Sequence, residues 1–180
     1  MTRFGWFFTT YFAVMAIVAG AIFHPAPRLI WNATASTPVG FYRLQSARVL
    51  HVGDLIAIRP PADMAAMLAR GGYLPLGVPL LKPVAALPGQ VVCRIGVVVS
   101  VDGTALGTAL ARDHLGRPLP VWQGCRSVLP GQVFVMNPAI PSSLDGRYFG
   151  VLPVDAVLGR AQPLWLMASP ISSIPNQKRG

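Results

Sequence analysis

Two segments contain residue types that could carry out acyl-transfer chemistry. Lys82 is the only charged residue in the apolar stretch VPLLKPVAALPG, which runs from residue 78 to residue 89. Burial disfavours an ammonium ion, so a lysine in such a stretch can be neutral near pH 7 and act as a base. An arginine could not, because its guanidinium stays protonated. Lys82 is therefore a candidate general base, and a surface lysine at a strand edge is the alternative.

The second segment is NATASTPVGFY at residues 32–42, where hydroxyl groups lie beside a proline and a glycine. Ser36 in this segment could be a nucleophile, although a serine in such a setting more often only forms a turn. A third segment, residues 137–150, contains Asp145 and Arg147. These two side chains lie on one side of an extended chain and could pair, and an ordinary loop salt bridge of little energy is the alternative.

An apolar stretch precedes these segments. Residues 4–23 form a run of 20 residues without a charge. As a helix this run is about 30 Å long, enough to cross the hydrocarbon core of a membrane. A cleavable signal peptide is the alternative, but its apolar region usually has about 7–15 residues. We therefore expect residues 1–23 to be an uncleaved transmembrane signal anchor.

The rest of the 180-residue chain has the pattern of an all-β domain, mostly antiparallel, with one short helix. Asp102-Gly103 after a β-branched run predicts a hairpin. Asp63 is the expected N-cap of a helix over residues 64–70, which Gly71-Gly72 ends. Strands are predicted at residues 55–59, 91–95, 97–101, 132–136 and 156–158. The predicted organisation is an anchor at 1–23, a connector at 24–35, a β domain at 36–170 and a C-terminal tail at 171–180.

The two cysteines, Cys93 and Cys125, are too far apart for a CxxC redox or zinc motif. An even pair in an exported domain suggests a disulfide, and two buried free thiols are the alternative. Together with the anchor, this pair favours a bacterial inner-membrane protein with a single span and a periplasmic domain.

Composition argues against several other classes of protein. Charged residues make up 12% and hydrophobic residues 53% of the chain, which excludes a disordered protein. There is no glutamate and there are only three scattered histidines, so we expect no metal site and no cofactor. No G-x-S-x-G motif supports a Ser-His-Asp triad. The net charge of +9 invites nucleic-acid binding, but the arginines are scattered along the chain and we expect none.

Three motifs in this order resemble type I signal peptidases. They are Ser-x-Pro-x-Gly-x-Tyr at 36–42, the apolar lysine segment ending in Pro-Gly, and Ser-x-Asp-Gly-Arg-Tyr-Phe-Gly at 143–150. The form Asn-x-Thr-x-Ser-x-Pro-x-Gly is most similar to the conjugative-transfer branch, the TraF-like peptidases that mature pilin precursors. Gln90 departs from the negatively charged residue that bacterial leader peptidases usually have after Pro-Gly. Thr37 stands where many of them have methionine, which again suggests the conjugative branch.

The resemblance implies a Ser/Lys dyad in a signal-peptidase-like β domain. Ser36 would be the nucleophile and neutral Lys82 the general base. The backbone N–H of Ser36 and the hydroxyl of Thr34 would stabilise the oxyanion. Ser143 matches the family serine that orients the lysine amine.

The resemblance also implies supporting residues, a substrate and partners. Asp145 and Arg147 match an ion pair that supports one wall of the site. Apart from the resemblance, the apolar content of the segment with Pro38, Gly40 and Tyr42 leads to the hypothesis that this segment binds substrate, with small side chains in a pocket and an extended substrate strand paired with an exposed sheet edge. The expected substrate is a pilin precursor or another exported protein, which the enzyme cleaves or cyclises, with other proteins of the conjugation apparatus as further partners. A non-catalytic assembly factor and a general leader peptidase are the alternatives.

Overall fold

The structure is a computed structural model, and it describes residues 3–22 and 28–167. The predicted tail at 171–180 and the first residues of the predicted connector, 24–27, lie outside the described residues. The first element is helix α1, Arg3–Ile22, whose 20 residues contain no acidic side chain in the first turn and no basic one in the last. None of the window Arg3–Gly20 is buried against the rest of the protein. Such a helix is consistent with a single membrane span.

The remaining described residues form two antiparallel sheets, which confirms the predicted all-β class. The larger sheet has the strand order β1-β2-β11-β3-β4-β9-β10 and the smaller one β7-β6-β5-β8. The strands are β1 Leu29–Asn32, β2 Gly40–Gln45, β3 Leu55–Ile58, β4 Leu80–Ala86, β5 Val91–Ile95, β6 Val98–Val101, β7 Thr104–Thr108, β8 Gly124–Ser127, β9 Gln132–Val135, β10 Leu152–Pro153 and β11 Val157–Leu166.

The two larger of four apolar clusters in the described residues pack against strands β4 and β9. One lies where helix α2, Ala62–Arg70, covers the larger sheet, so that Leu68 packs with Ile56 and Val84. The other joins the two sheets and contains Val92 of β5 and Phe134 of β9. Because β4 and β9 contribute to both clusters, this part of the larger sheet is covered on both faces.

The predicted hairpin after β6 is confirmed. Asp102 and Gly103 form a two-residue loop with φ angles of 47° and 80°, and Val101 pairs with Thr104. Two successive positive φ values are typical of a type I′ turn, which Asp-Gly favours because glycine has no Cβ to clash there.

Several elements differ from the sequence predictions. Helix α2 begins at Ala62 after Pro61 and has no side-chain cap, so Asp63 lies in the first turn and is not the N-cap. Its carboxylate there still faces the positive end of the helix dipole. Strand β11 has ten residues where three were predicted, because it pairs with both β2 and β3. Strand β1 lies within the predicted connector, and a one-turn helix α3, Gly146–Phe149, was not predicted.

The pairing of β5 with β8 places the two cysteines directly opposite each other. Cys93 and Cys125 are register partners and form a disulfide across 32 residues of sequence, which confirms the suggested pair. The disulfide links the two ends of the chain segment that contains β6, β7 and the loop before β8.

We expect loss of this disulfide to destabilise the domain. Closing a loop of this length limits the unfolded chain, and the chain-entropy estimate is about 3–4 kcal/mol. The double variant Cys93→Ser/Cys125→Ser, as the full chain in detergent, should unfold about 10 °C lower than the parent. Differential scanning calorimetry with and without reductant measures this shift. An unchanged unfolding temperature in both comparisons would contradict the estimate.

Candidate active site

Ser36 lies in the loop of residues 33–39 that connects β1 to β2, and the buried side chain of Asn32 organises this loop. The Oδ1 of Asn32 accepts hydrogen bonds from the backbone N–H of Thr34 at 3.1 Å and from its hydroxyl at 2.7 Å. Its Nδ2 lies within 3.1 Å of the carbonyl oxygens of Thr34, Thr37 and Pro38. One amide therefore holds both sides of the loop.

The Ser36 side chain is half-buried, and its surroundings fix which way the hydroxyl donates. The Oγ of Ser36 lies 3.2 Å from the Oγ1 of Thr34. Since the Thr34 hydroxyl donates to Asn32, the Ser36 hydroxyl is the donor in this pair. The carbonyl of Ser36 accepts a bond of 2.7 Å from the Nδ2 of Asn137, 101 residues further along the chain.

Lys82 lies in β4 opposite Ile56 of β3, on the face of the sheet that carries the core residues Ile56 and Val84. Its side chain is only 2% exposed. The Nζ of Lys82 donates a hydrogen bond of 2.8 Å to the Oγ of Ser143. Burial lowers the pKa of this amine from 10.5 to about 8, with Asp145 acting to raise it and Arg147 to lower it. The side chain predicted as a base is therefore buried and easily deprotonated.

Asp145 and Arg147 form the buried ion pair that the sequence suggested. Asp145 is the N-cap of α3, and its carboxylate receives the Nε and Nη2 of Arg147, each at 3.0 Å. Both side chains are 1% exposed. The Asp145 carboxylate also accepts hydrogen bonds from the backbone N–H groups of Asn137 and Arg147.

The guanidinium of Arg147 also supports the loop between β9 and α3. It donates to the carbonyl oxygens of Asn137, Ile140 and Pro141 at distances of 2.6 to 3.1 Å. A guanidinium can bind several carbonyl groups at once, because it has five N–H donors in one rigid plane. The loop that carries Ser143 is thus fixed without regular secondary structure.

The predicted nucleophile and the predicted base lie at one cavity of about 590 Å³. Its lining includes Thr34, Ser36, Lys82 and Ser143. Among the described residues no hydrogen bond joins Lys82 to Ser36, since the Lys82 amine is bonded to Ser143 and the Ser36 hydroxyl to Thr34. The structure therefore brings the predicted dyad to one cavity, with each partner hydrogen-bonded to another residue.

The three predicted substrate-binding residues do not line this cavity. Tyr42 is 1% exposed, and its hydroxyl donates to the carbonyl of Pro38 at 2.7 Å. Gly40 lies between β1 and β11, where a Cβ would fall 2.2 Å from the carbonyl oxygen of Trp165. In this structure Pro38, Gly40 and Tyr42 shape the nucleophile loop, and substrate contact by them stays a prediction.

Sequence reasoning missed two asparagines that hold the site together. The sequence places Asn32 in a motif and Asn137 at the start of a loop, and neither position by itself indicates a supporting role. An asparagine directly before a hydroxyl-rich loop is a usable signal for Asn32, because its side chain can hydrogen-bond the backbone of the residues that follow. The contact between Asn137 and Ser36 has no local signal, because it depends on how the sheet brings two distant loops together.

In the part of the chain that the structure describes, no histidine is hydrogen-bonded to Ser36, Lys82 or Ser143. In the described ranges no three residues among His, Cys, Asp and Glu are grouped so that they could hold a metal. His51 lies 3.6 Å from Asp54 on the surface, and His114 lies on the cavity wall beside Asp113.

Comparisons with known proteins agree with the motifs. The family described as "Signal peptidase, peptidase S26" matches residues 1–166. The chain is 40% identical to a probable conjugal transfer protein TraF of Sinorhizobium fredii, over 73% of each chain. It is 35% identical to the conjugal transfer protein TraF of Agrobacterium fabrum, over 74% of this chain and 80% of that one. A probable signal peptidase I-1 of Synechocystis is 36% identical over 61% of this chain and 52% of that one.

The buried amine predicts a pH dependence of stability. Because the folded pKa of Lys82 is about 8 and its ordinary value is 10.5, the unfolded chain binds more protons between these values. The contribution of Lys82 to stability therefore rises with pH from about 8 to 10.5, and below pH 8 the folded protein buries an ammonium ion. We expect Lys82→Met to be more stable than the parent at pH 7 by up to about 3 kcal/mol.

Denaturant unfolding of the full chain in detergent at pH 7, 8.5 and 10 measures this difference. It should shrink steadily as the pH rises. The exposed Arg59 supplies the control, because Arg59→Met should show a difference from the parent that does not change with pH. A constant difference for Lys82→Met over this range would show that the amine is not buried as the structure has it.

Proposed function

The chain belongs to the signal peptidase family, peptidase S26, and we propose that it is a membrane-anchored serine endopeptidase with a Ser36/Lys82 dyad. The observation that carries this proposal is the buried Lys82 amine, bonded to Ser143 at 2.8 Å and lining the same cavity as Ser36. An amine with a pKa of about 8 is available as a free base at a moderate pH.

In the proposed reaction the Oγ of Ser36 attacks the carbonyl carbon of the scissile peptide bond while the Nζ of Lys82 takes the hydroxyl proton. The tetrahedral intermediate collapses to an ester on Ser36, and Lys82 returns the proton to the departing amine. A water molecule or a second amine then attacks the ester, and Lys82 takes the proton of the attacking group. When the second tetrahedral intermediate collapses, Lys82 gives this proton to the Oγ of Ser36, which restores the free hydroxyl and the neutral amine. Ser143 keeps the amine aimed at Ser36 through both steps.

The reaction requires two hydroxyl groups to turn. The Ser36 hydroxyl must leave Thr34 and donate to the Lys82 amine. The Thr34 hydroxyl must leave Asn32 and donate to the developing oxyanion, together with the backbone N–H of Ser36. Catalytic hydrogen bonds often form only when substrate is bound, so the present pairing is compatible with this route.

The relatives named as conjugal transfer proteins support a substrate in conjugative transfer. We propose a pilin precursor or another exported protein of that apparatus. If the acceptor of the acyl group is the amine at the substrate's own N-terminus, the product is a ring. A general leader peptidase and a non-catalytic assembly factor are the competing functions. Mass spectrometry of the processed precursors separates all three.

The proposed location is the periplasmic face of the bacterial inner membrane. Six residues separate α1 from β1, a covalent reach of at most about 20 Å, so β1 must stay near the end of the helix. Trp31, Phe41 and Trp165 form an exposed aromatic group on this edge of the sheet, with ring centroids 4.7 to 6.3 Å apart. Tryptophan is typical of membrane interfaces, and the Cys93–Cys125 disulfide suits an oxidising compartment.

Substitution of either dyad residue should abolish processing. We expect Ser36→Ala, Lys82→Ala and Lys82→Arg each to lower kcat/KM by at least about 10³-fold, since the members of such a unit fail together. Lys82→Arg keeps the positive charge and removes the base. The exposed Ser127 on β8 provides a matched control, and Ser127→Ala should process normally.

Mass spectrometry of pilin precursors incubated with membranes that carry each variant measures the outcome. A product lighter than the hydrolysed form by one water identifies cyclisation, and cleavage of many unrelated exported precursors identifies a general leader peptidase. In the parent enzyme kcat/KM should rise with pH through the Lys82 pKa of about 8. Normal processing by Lys82→Arg would rule out the dyad, and no processing by the parent would favour the assembly factor.

Asn137 should affect the rate of reaction more than substrate binding. Its Nδ2 holds the carbonyl of Ser36 at 2.7 Å, so its loss frees the nucleophile loop. A misplacement of about 1 Å can lower the rate about 100-fold, and we expect Asn137→Ala to lower kcat by about 10- to 100-fold with little change in KM. Asn137→Asp replaces the donor by an acceptor and should not restore the rate.

Gln123 supplies the matched control for Asn137. Its Nε2 donates to the carbonyl of Gly96 at 2.9 Å, an equivalent bond on the surface of the smaller sheet. Gln123→Ala should leave both kcat and KM unchanged. A fall in unfolding free energy for Asn137→Ala without a fall in kcat would assign Asn137 a purely structural role.

A further inference from the structure

The cavity extends well beyond the dyad, and its larger part is apolar. The dyad, Thr34 and Ser143 lie at one part of the lining. One further wall is α2 with the loop that follows it, and another is the flap, which we define as residues 109–119. The leucine and isoleucine residues of the lining are Leu68, Leu74, Leu80, Leu81, Leu110, Leu119, Ile140 and Leu144.

Polar contacts join these two walls to each other. Tyr73, which follows α2, donates its hydroxyl to the carboxylate of Asp113 in the flap. Arg117 donates to the same carboxylate at 2.7 Å, and its guanidinium lies 4.8 Å from the centre of the Tyr73 ring. The hydroxyl of Tyr148 accepts from the backbone N–H of Leu110 at 3.0 Å, which ties the flap to α3. The cavity is therefore built into the fold by residues on both walls.

The size and lining of the cavity indicate what it accommodates. Ligand pockets typically have about 300–1,000 Å³, mostly apolar walls and a few polar groups, and this cavity of about 590 Å³ has each of these properties. A methyl side chain beside Ser36 would leave most of this volume empty. Aliphatic residues outnumber the charged flap residues Arg112 and Asp113 in the lining, so the cavity favours an uncharged side chain over a charged one.

We propose that the space between α2 and the flap is a subsite for a bulky aliphatic or aromatic side chain of the peptide substrate. This proposal rests on the proposed peptidase function and adds a substrate class to it. The bulky side chain enters between Leu68 and Leu110 while the scissile bond lies at Ser36. A pocket of this kind distinguishes side chains by size, and one methylene changes kcat/KM by about 10- to 200-fold.

The test uses the full chain in detergent and a set of peptides that differ at one position only. Each position on either side of the scissile bond carries alanine, leucine or phenylalanine in turn. At one of these positions we expect leucine or phenylalanine to exceed alanine in kcat/KM by at least about 10-fold.

Two tryptophan variants localise the preference. Leu110 lines the cavity and is 42% exposed, so the indole of Leu110→Trp can occupy the cavity without disrupting the core. This variant should lower the ratio of leucine to alanine kcat/KM by about 10-fold. Leu115 is in the same flap and 64% exposed but does not line the cavity, so Leu115→Trp should keep the parent ratio. If Leu110→Trp does not fold, Leu110→Ala enlarges the site and should shift the preference from leucine towards phenylalanine.

Calorimetric titration of the same peptides into Ser36→Ala separates this proposal from the proposed function. Tighter binding of the leucine or phenylalanine peptide by about 10-fold supports the subsite even if no peptide is cleaved by the parent, which would overturn only the peptidase proposal. Cleavage with alanine preferred at every position, or an unchanged ratio in Leu110→Trp and Leu110→Ala, overturns the subsite alone. If the parent cleaves no peptide and Ser36→Ala shows no size-dependent binding, both proposals are overturned.

Discussion

The burial of the Lys82 amine is the constraint on which the rest of the site depends. The amine is 2% exposed and has Ser143 as its hydrogen-bond partner. Its pKa is lowered first by burial, while Asp145 acts to raise it and Arg147 to lower it. Because Asp145 and Arg147 carry opposite charges and lie together as an ion pair, their effects on the Lys82 pKa oppose one another. Desolvation therefore decides the charge state of the Lys82 amine. Without Arg147 beside it, the Asp145 carboxylate would favour the ammonium form of Lys82.

The Asp145–Arg147 pair does a second job, which is to organise a loop that has no regular secondary structure. Arg147 satisfies three loop carbonyls, and Asp145 accepts from the backbone N–H of Asn137. Asn137 in turn holds Ser36. In the strand order β2 and β9 are four steps apart, which is about 19 Å in a flat sheet. The nucleophile and its supporting loop therefore meet only because the sheet curves and both loops reach inward.

The sequence predicted those parts of the protein whose cause is local. The Asp102-Gly103 turn, the β-branched strands around it and the lysine in an apolar strand each follow from a few neighbouring residues. Strand β11 was underestimated, because Pro163 and exposed residues such as Trp165 obscure its pattern, and its pairing with β2 and β3 is non-local. Asp63 resembled an N-cap, but the N-cap is Pro61 and the helix begins at Ala62, two residues earlier than predicted. The contact between Asn137 and Ser36 and the cavity between α2 and the flap are products of the fold, and no short segment encodes them.

The choice of cation at each buried position follows from the same physics. Among the described residues, Lys82, Arg94 and Arg147 are each 2% exposed or less, and Asp145 is the one acidic residue that is as deeply buried. Arg94 is bonded to the carbonyl of Arg147 at 2.6 Å, and burial lowers the pKa of its guanidinium without bringing it within reach of neutrality. The two arginines and Asp145 thus leave the interior with a net positive charge before Lys82 is counted. Protonation of Lys82 adds a second uncompensated cation, which a low-dielectric interior resists. Lysine is the one side chain of the three that can relieve this excess by losing its proton, and it is the one that lies at the cavity with Ser36.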